Sequence, residues 1–363
     1  MIKKVGIITI YSVYNYGAML QAYALSKYIE SIGYDSEIID YRPYALCRDY
    51  DFYWKDLLLD PRNALGTLKQ SMTKRKQFIR FKDFLKKDIP TSLTRYGHSD
   101  TLKSHNYDIL VTGSDQIWNP YITSEDENFL LSFDSGNAKK ISYSSSFGVS
   151  DIPIHWADKV KVALNKFNQL GVREESGVKI INGLLELKNV NLVLDPVFLI
   201  PVEYWRKLSN NSLTPKIKYL LVYSLEVNEK IMSYAISLAK VKGLKIVTIH
   251  PFKSDYDFAD ICINEAGPKE FISLIDNAEF IVTNSFHGTV FSIILNKKFS
   301  CVLHTKTGTR MSNLLERIGL DTPNIFLSKD NVKIPFYEMN TQSNMKLKKH
   351  IEFSKSCLIL DKF

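Results

Sequence analysis

The alternation of apolar, β-branched runs with segments of helical periodicity is the feature that most constrains the fold of this chain. The first cycle comprises a strand at residues 5–10, a helix that starts at Gly17 and stops at Gly33, and a second strand at 37–39. Two strands joined by a helix in this way form a parallel βαβ unit. Because ligands of parallel sheets bind beyond the carboxyl ends of the strands, we expect the functional residues in the loops that follow the strands.

The same alternation continues almost to the end of the chain. Further strands are predicted at 108–112, 140–146, 171–172, 218–223, 245–249, 279–283 and 299–303, with helices at about 155–170, 226–241 and 268–275 and another that ends at Leu295. A chain of 363 residues is longer than one hydrophobic core usually organises. We therefore predict an α/β protein with two doubly wound, Rossmann-like domains that face each other across a cleft. The predicted domains are residues 1–200 and 201–340, and a helix within 341–363 is expected to pack back on the first domain.

A helical insertion at about residues 52–88 carries the densest basic charge of a chain whose net charge is +8. Apolar residues interleave with the charges at spacings of three and four, which predicts an amphipathic helix with a basic outer face. The basic residues are Lys69, Lys74, Arg75, Lys76, Arg80, Lys82, Lys86 and Lys87. This face is interpreted either as an ordinary solvated surface or as a surface for anionic headgroups or a pyrophosphate-linked substrate. Nucleic acid is not expected as a partner, because the sequence has no zinc-finger spacing, RNP-type motif or basic tail.

Composition and the positions of the cysteines narrow the class of protein. The hydrophobic fraction of 45% and charged fraction of 24% argue against both disorder and a membrane-spanning chain. The start resembles a strand more than a signal peptide, so we expect a cytoplasmic protein, with peripheral contact at the membrane surface as a further interpretation of the basic face. The four cysteines are far apart, and a metal is not required by any spacing in the sequence.

The junction Ser285-Phe286-His287-Gly288-Thr289 is the first candidate site, because a buried strand ends there and a helix begins. Free backbone N–H groups and the positive end of the helix dipole favour a bound phosphate or carboxylate. His287 could add a hydrogen bond or transfer a proton, and Gly288 would let a ligand approach the backbone closely. The alternative for His287 is a helix cap or a hydrogen-bonding core residue.

Two arginines are further candidates for binding an anion. Arg173 directly follows a predicted strand, where its guanidinium could grip a carboxylate or phosphate with two hydrogen bonds. The alternative is an ordinary salt bridge to Glu174, Glu175 or Asp195. Arg310 lies in a later loop and is a second possible anion ligand.

The loops after the first and third predicted strands are candidates for binding a sugar. Asp115 lies in a glycine-led loop with Gln116 and Trp118, where a carboxylate could accept a hydroxyl proton while the indole covers an apolar sugar face. Loop aspartates are also common turn formers, which is the alternative interpretation. The matching loop after the first strand offers hydroxyl-recognising groups at Asn15, Tyr16 and Gly17.

Five segments together resemble the polysaccharide pyruvyl transferase family. In chain order they lie at 15–25, 113–118, 144–148, 172–174 and 285–289, so the resemblance covers about residues 5–320. It implies a GT-B-like fold, with the acceptor on the N-terminal domain and the donor on the C-terminal domain. The donor-binding roles carry over to Arg173 and His287, with Ser285, Gly288, Thr289 and Arg310 near them. Some members have an arginine where this chain has Ser285, and Arg310 or Lys306 is expected to replace it.

The resemblance also implies a reaction, the transfer of a pyruvyl group from phosphoenolpyruvate to a sugar of a surface-polysaccharide or lipid-linked glycan precursor, with a ketal as product. Phosphoenolpyruvate is then the donor substrate, and no cofactor is expected. His287 would act as general acid, Arg173 would stabilise the donor's charges, and Asp115 would orient or deprotonate the acceptor hydroxyl. Two alternatives remain: a GT-B-type glycosyltransferase with a nucleotide-sugar donor, and a non-catalytic protein that binds glycans or anions.

Overall fold

The structure is a computed structural model that describes residues 2–47, 64–97, 102, 107–133, 138–226, 229–250, 256–302, 309–327, 333–358 and 360. The chain divides into two units, each made of separate stretches of sequence. Unit 1 comprises Met1–Pro61, Leu85–Ile200 and Lys349–Phe363. Unit 2 comprises Arg62–Phe84 and Pro201–Lys348.

Parallel sheets form the centre of both units. The strands are β1 (Lys4–Ile8), β2 (Asp35–Arg42), β3 (Thr91–Gly97), β4 (Ile109–Thr112), β5 (Lys139–Ser145), β6 (Gln169–Val172), β7 (Val190–Leu192), β8 (Tyr219–Tyr223), β9 (Lys245–Ile249), β10 (Ile261–Ile263), β11 (Phe280–Thr283), β12 (Phe299–Cys301), β13 (Asn324–Leu327) and β14 (Lys333–Phe336). In the described part of unit 1 they pair in the order β3-β2-β1-β4-β5-β6-β7, and in that of unit 2 in the order β10-β9-β8-β11-β12. All these neighbours are parallel, whereas β13 and β14 form a separate antiparallel pair. The strand order changes direction between β1 and β4 and again between β8 and β11, so each sheet has a switch point where ligands of doubly wound folds bind.

Helices connect the strands in both units. They are α1 (Tyr16–Ser31), α2 (Tyr44–Cys47), α3 (Ala64–Lys87), α4 (Pro120–Thr123), α5 (Ile154–Leu164), α6 (Glu175–Lys179), α7 (Val202–Leu208), α8 (Glu229–Lys242), α9 (Pro268–Asp276), α10 (Phe286–Ile294), α11 (Thr309–Arg317) and α12 (Thr341–Ser356). The last helix contributes to both units, because unit 2 ends at Lys348 and the final segment of unit 1 begins at Lys349.

Helix α1 shows how local sequence sets the position of an element. The side chain of Asn15 accepts hydrogen bonds from the backbone N–H groups of Gly17 and Ala18, which fixes the start of the helix. After its last residue, Gly33 adopts a φ of 95°, a left-handed conformation that favours glycine. Almost every residue of α1 is buried, and the helix packs against β2 and the short helical turn at Pro196–Phe198.

Large aromatic side chains fill the core of unit 1. Trp118, Phe147 and Trp156 belong to one buried cluster, in which the Trp118 and Phe147 ring centroids are 5.3 Å apart. In unit 2, alternate residues of β8 and β11, such as Val222 and Val282, pack against the buried face of α8. Burial of these apolar surfaces is the main favourable contribution to folding of each unit.

Helix α3 belongs to unit 2 as far as Phe84, whereas the sequence placed the insertion at 52–88 within the N-terminal domain. The physical reason is its inner face, where Phe81 and Phe84 are buried and Arg80 forms an ion pair of 2.5 Å with Glu270. Arg80 therefore does not belong to the predicted basic outer face. Lys82, Lys86 and Lys87 are exposed there, as predicted for an amphipathic helix. The part of the insertion at residues 52–63, and the side chains of Lys69 and Lys74, lie outside what the structure describes.

Several predicted elements differ from the observed ones. The helix predicted at 155–170 stops at Leu164, and its last predicted residues belong to β6, whose first residue is Gln169. Strands β3 and β10 and the pair β13–β14 were not predicted, because short, partly exposed strands lack a long apolar run. Within the described ranges, no helix is long and apolar enough to cross a membrane.

Candidate functional site

The switch point of unit 2 is organised by Asn284, which directly follows β11. Its Oδ1 accepts hydrogen bonds from Ser224 Oγ (3.1 Å) and Leu225 N (2.9 Å), and its Nδ2 donates to the carbonyl oxygen of Glu226 at 2.6 Å. The side chain is buried and joins the loop after β11 to the loop after β8. It therefore fixes the backbone of both loops at the carboxyl edge of the sheet.

Helix α10 begins at this edge, two residues after Asn284. Ser285 is its N-cap, and its Oγ accepts a hydrogen bond from Gly288 N at 3.4 Å. His287 lies in the first turn with only 8% of its surface exposed, and its ring is 5.3 Å from that of Phe286. Backbone N–H groups of this first turn have no partner within the helix and carry the positive end of its dipole. The geometry suits an anion beside a histidine.

Arg310, on helix α11, lies beside the first turn of α10. Its guanidinium carbon lies 5.8 Å from the centroid of the Phe286 ring, a cation–π contact. The structure thus brings together Ser285, His287 and Arg310, three of the residues that the sequence predicted for an anion site. Lys306, the other predicted substitute for the missing arginine, lies outside the described residues.

Two residues of the predicted anion site have structural roles in the observed geometry. A Cβ at Gly288 would lie 2.4 Å from Thr283 Oγ1 and 2.9 Å from the ring of Tyr223, so the close approach that requires glycine is to the sheet and not to a ligand. Thr289 is fully buried, and its Oγ1 contacts Cys301 Sγ at 3.5 Å and Met311 Sδ at 3.6 Å. The Cβ direction of Gly288 and the side chain of Thr289 both point into the interior of unit 2. The prediction that these groups contact the donor is therefore corrected.

The switch point of unit 1 is held by Gln21 on helix α1. Its Nε2 donates to Thr9 Oγ1 and to the carbonyl oxygen of Ile10, both at 3.0 Å, and its Oε1 accepts from Ser114 N at 3.2 Å. These bonds tie the loop after β1 to the loop after β4. Gln21 was not predicted as a site residue, although a glutamine within an otherwise apolar helix is a signal that could have identified it.

Arg173 lies at the end of β6 and is surrounded by carboxylates. Its Nη1 donates to Asp195 Oδ2 at 2.9 Å and its Nη2 to Asp115 Oδ1 at 3.3 Å, and its Nε lies 3.8 Å from Glu174 Oε2. The side chain is only 2% exposed. Burial lowers the pKa of this guanidinium, but Asp115, Asp195 and Glu174 outweigh that effect and raise it, so the group remains protonated. The ion pair with Asp195 is one of the alternatives that the sequence left open, and a direct role in donor binding stays a prediction.

Asp115 is held in a defined position by the backbone as well as by Arg173. Its φ is 70°, a left-handed conformation that few non-glycine residues adopt, and its carbonyl oxygen accepts a hydrogen bond from Ser146 N at 3.0 Å. The side chain is 18% exposed. A substrate hydroxyl can therefore reach this carboxylate from solvent, as the predicted acceptor role requires.

The other predicted acceptor residues are mostly structural. Trp118 is fully buried and its indole N–H donates to the carbonyl oxygen of Phe129 at 3.1 Å, so its ring presents no face to a sugar. Tyr16 and Gly17 are buried in the first turn of α1, and Asn15 uses its side-chain oxygen as the helix cap. Gln116 is half-buried and accepts a hydrogen bond from Asn119 at 3.1 Å. Trp118 is therefore a core residue and not the predicted sugar-binding surface.

Asp195 and Glu174 are the residues of this cluster that the sequence considered only as ion-pair partners. Glu174 Oε1 accepts from Ser146 Oγ (2.7 Å), Phe147 N (3.1 Å) and Gly148 N (3.2 Å), and thereby fixes the loop after β5. Glu174 lies two residues after the end of β6 and Asp195 three residues after the end of β7, and this position beyond a strand end is the signal that could have identified them. Among the described residues, no three His, Cys, Asp or Glu side chains are grouped so that they could hold a metal ion.

Two parallel, doubly wound sheets, each with a polar cluster at the switch point, define an α/β protein of the GT-B-like class. The chain belongs to the polysaccharide pyruvyl transferase family, whose family model matches residues 15–305. Both the predicted family and the predicted fold class are thus confirmed. No sequence among the curated proteins matches this chain.

Two solved structures are similar to the chain over nearly its whole length. UDP-GlcNAc 2-epimerase from Neisseria meningitidis, bound to UDP-GlcNAc, has a TM-score of 0.51 and 10% identity, with 98% of this chain and 94% of that chain covered. UDP-GlcNAc 2-epimerase from Methanocaldococcus jannaschii has a TM-score of 0.49 and 11% identity, with 99% and 93% covered. At such identity, the likeness to the Neisseria enzyme concerns the fold alone.

Proposed function

We propose that this protein transfers a pyruvyl group from phosphoenolpyruvate to two hydroxyls of a sugar and so forms a cyclic ketal. The sugar belongs to a surface-polysaccharide or lipid-linked glycan precursor. Membership of the polysaccharide pyruvyl transferase family supports the type of reaction. The observation that carries the proposal is the position of His287, a proton donor in the first turn of a helix that starts at the switch point of unit 2.

Unit 2 binds the donor in this proposal. Phosphoenolpyruvate carries a phosphate and a carboxylate, and the first turn of α10 offers backbone N–H groups to one of these anions. Arg310, held over the ring of Phe286, provides a positive charge for the other. This charge takes the place of the arginine that some family members have at the position of Ser285.

His287 then acts as general acid on the bound donor. It protonates the methylene carbon of phosphoenolpyruvate, and positive charge develops on the neighbouring carbon that carries the phosphate. An acceptor oxygen bonds to that carbon. The resulting tetrahedral adduct still holds the phosphate, which leaves when the second hydroxyl of the sugar forms its bond to the same carbon.

Unit 1 prepares the acceptor. Asp115 pairs with Arg173 and is partly exposed, so in this proposal its carboxylate accepts the proton of the attacking hydroxyl. The second hydroxyl loses its proton as phosphate departs, and His287 regains a proton from solvent. Atoms balance as one phosphoenolpyruvate and one diol giving one ketal and one inorganic phosphate.

Thermal unfolding with candidate donors tests the donor first. We expect phosphoenolpyruvate to raise the melting temperature, whereas UDP-sugars and CMP-sugars leave it unchanged; a ligand at 100 times its Kd stabilises the folded state by about 2.7 kcal/mol. Phosphate release is then measured with lipid-linked galactose, mannose and N-acetylated sugars. Stabilisation by a nucleotide sugar instead would point to a glycosyltransferase, and stabilisation by phosphoenolpyruvate without phosphate release would point to a binding protein.

A further inference from the structure

We propose that Asp195 is a positioning residue that acts through Arg173 on Asp115 and sets the direction in which the Asp115 carboxylate meets the acceptor hydroxyl. This inference rests on the proposed function, because that function gives Asp115 its role. The three side chains form a chain of contacts from the interior of unit 1 to its surface.

Asp195 is the rigid inner end of this chain. Its side chain is fully buried. Each of its carboxylate oxygens accepts a hydrogen bond from a group other than Arg173, and one of them also accepts from Arg173. Oδ1 accepts from Val197 N at 3.2 Å, and Oδ2 accepts from Ser114 Oγ at 3.3 Å. Because a buried carboxylate with partners on both oxygens cannot rotate without losing hydrogen bonds, Asp195 has one favoured orientation.

Arg173 transmits that orientation. Its two terminal nitrogens contact different acids, Nη1 Asp195 at 2.9 Å and Nη2 Asp115 at 3.3 Å. The guanidinium is planar and rigid, so fixing one terminal nitrogen restricts the plane in which the other can donate. The Asp195 contact is the shorter of the two, which makes Asp195 the anchor and Asp115 the group that is oriented.

Exposure shows which of the three can meet a substrate. The side chains of Asp195 and Arg173 are 0% and 2% exposed, whereas that of Asp115 is 18% exposed. Asp115 therefore presents the surface of this cluster to a ligand, and the other two act behind it. Ser114 strengthens the link, because it is the chain neighbour of Asp115 and donates to Asp195.

A double-mutant cycle separates positioning from a general loss of structure. The variants are Asp195→Asn, Asp115→Asn and the double variant, and the readout is phosphate release from phosphoenolpyruvate with a saturating acceptor. We expect Asp195→Asn to lower kcat about 10- to 100-fold while KM for phosphoenolpyruvate stays unchanged, since displacement of a catalytic group by about 1 Å can have an effect of this size. In the Asp115→Asn background the second substitution should lower kcat less than about threefold further. Multiplicative effects in the double variant would overturn the proposal.

Asp126→Asn is the matched control. Asp126 is also a buried acid of unit 1, and it accepts hydrogen bonds from Tyr41 and from Asn128 N, outside the Arg173 cluster. Its substitution should destabilise unit 1, and any effect that it has on kcat should multiply with that of Asp115→Asn. If the effects of Asp126→Asn and Asp115→Asn on kcat also failed to multiply, the cycle would be reporting a general loss of structure, and the proposal would be overturned.

Hydrogen exchange tests the same inference without turnover, which distinguishes its failure from failure of the proposed function. Asp195→Asn should speed exchange in the loop at 113–119, including the Trp118 N–H that donates to Ser146 O at 3.2 Å, and leave the β4–β5 core protected. If Asp195→Asn does not fold, Ser114→Ala removes one Asp195 contact and should give a smaller change of the same kind. Unchanged exchange in this loop in whichever variant folds would overturn the positioning role, whether or not phosphoenolpyruvate proves to be the donor.

Discussion

Arg310 lies over the ring of Phe286, with its guanidinium carbon 5.8 Å from the ring centroid, so a positive charge from α11 stands beside the first turn of α10. The contact joins two helices that are separated along the chain by β12. The charge lies over the ring of the residue that precedes His287, the proposed general acid.

Loss of the His287 imidazole should abolish most turnover. We expect His287→Ala to lower kcat for phosphoenolpyruvate about 100- to 10,000-fold, because general acid catalysis contributes on this scale. His155→Ala is the control: that side chain is 66% exposed and pairs with Glu125 on the surface of unit 1. A near-normal kcat for His287→Ala in a phosphate-release assay would show that His287 is not the general acid.

Arg310 should contribute to donor binding more than to the acceptor. Arg310→Ala is expected to raise KM for phosphoenolpyruvate about tenfold or more, since a charge-assisted contact contributes about 1.5–3 kcal/mol. KM for the sugar should change little. Arg206→Ala provides a comparison, because Arg206 is 51% exposed and pairs with Asp276. Equal effects of the two variants on the donor KM, measured by steady-state kinetics, would contradict the assignment.

Gly288 should be required for the packing of α10 on the sheet. An alanine Cβ there would meet Thr283 Oγ1 at 2.4 Å and the Tyr223 ring at 2.9 Å, so we expect Gly288→Ala to destabilise unit 2 by about 1–3 kcal/mol. At Gly183 an added Cβ meets nothing within 4 Å, and Gly183→Ala should be neutral or slightly stabilising. Chemical denaturation of the two variants measures the difference. A Gly288→Ala variant as stable as Gly183→Ala would show that the sheet yields to the extra atom.

Arg80 should stabilise unit 2 through Glu270. Glu270 is 3% exposed and also accepts from Asn210 Nδ2 at 2.8 Å and Gly267 N at 3.0 Å. Arg80→Ala removes the only charged partner that the described residues place on this acid, so the free energy of unfolding should fall by about 1–3 kcal/mol. Lys76→Ala is the control on the same helix, because Lys76 is 74% exposed and its ion pair with Glu265 should contribute less than about 1 kcal/mol. Equal losses in urea titrations would contradict this difference.

Long apolar strands and strong helix signals were predictable from local sequence. The strands that became β1, β4, β8 and β11 were all identified, because burial on both faces leaves an unbroken apolar run. Helix α1 was identified from the helical spacing of its apolar residues, and its capping by Asn15 was not predicted. Short edge strands such as β3 were missed, since Leu93 and its neighbours are exposed and lack that pattern.

The candidate site was predictable in position but only partly in role. His287 follows β11 in the sheet of unit 2, and Asp115 follows β4 in the sheet of unit 1. Each parallel sheet brings the carboxyl ends of its own strands to one edge, whatever their distance along the chain. The roles of Trp118 and Thr289 could not be predicted in the same way. An aromatic ring or a hydroxyl in a loop can face either solvent or the core, and only the packing of the surrounding residues decides which.

The sequence by itself determined the α/β class, the family and the edges of the sheets where the polar residues gather, because periodicity and motif order are properties of the chain. Only the tertiary structure decided that α3 belongs to unit 2 through Arg80 and Glu270, and that Arg173 is enclosed by Asp115 and Asp195. Such contacts join residues far apart along the chain. Their energies depend on burial and on the orientation of both partners, which no local pattern encodes. For the junction at Ser285-Phe286-His287, the sequence indicated an anion site with Arg310 near it, and the tertiary structure showed that Arg310 lies over the ring of Phe286.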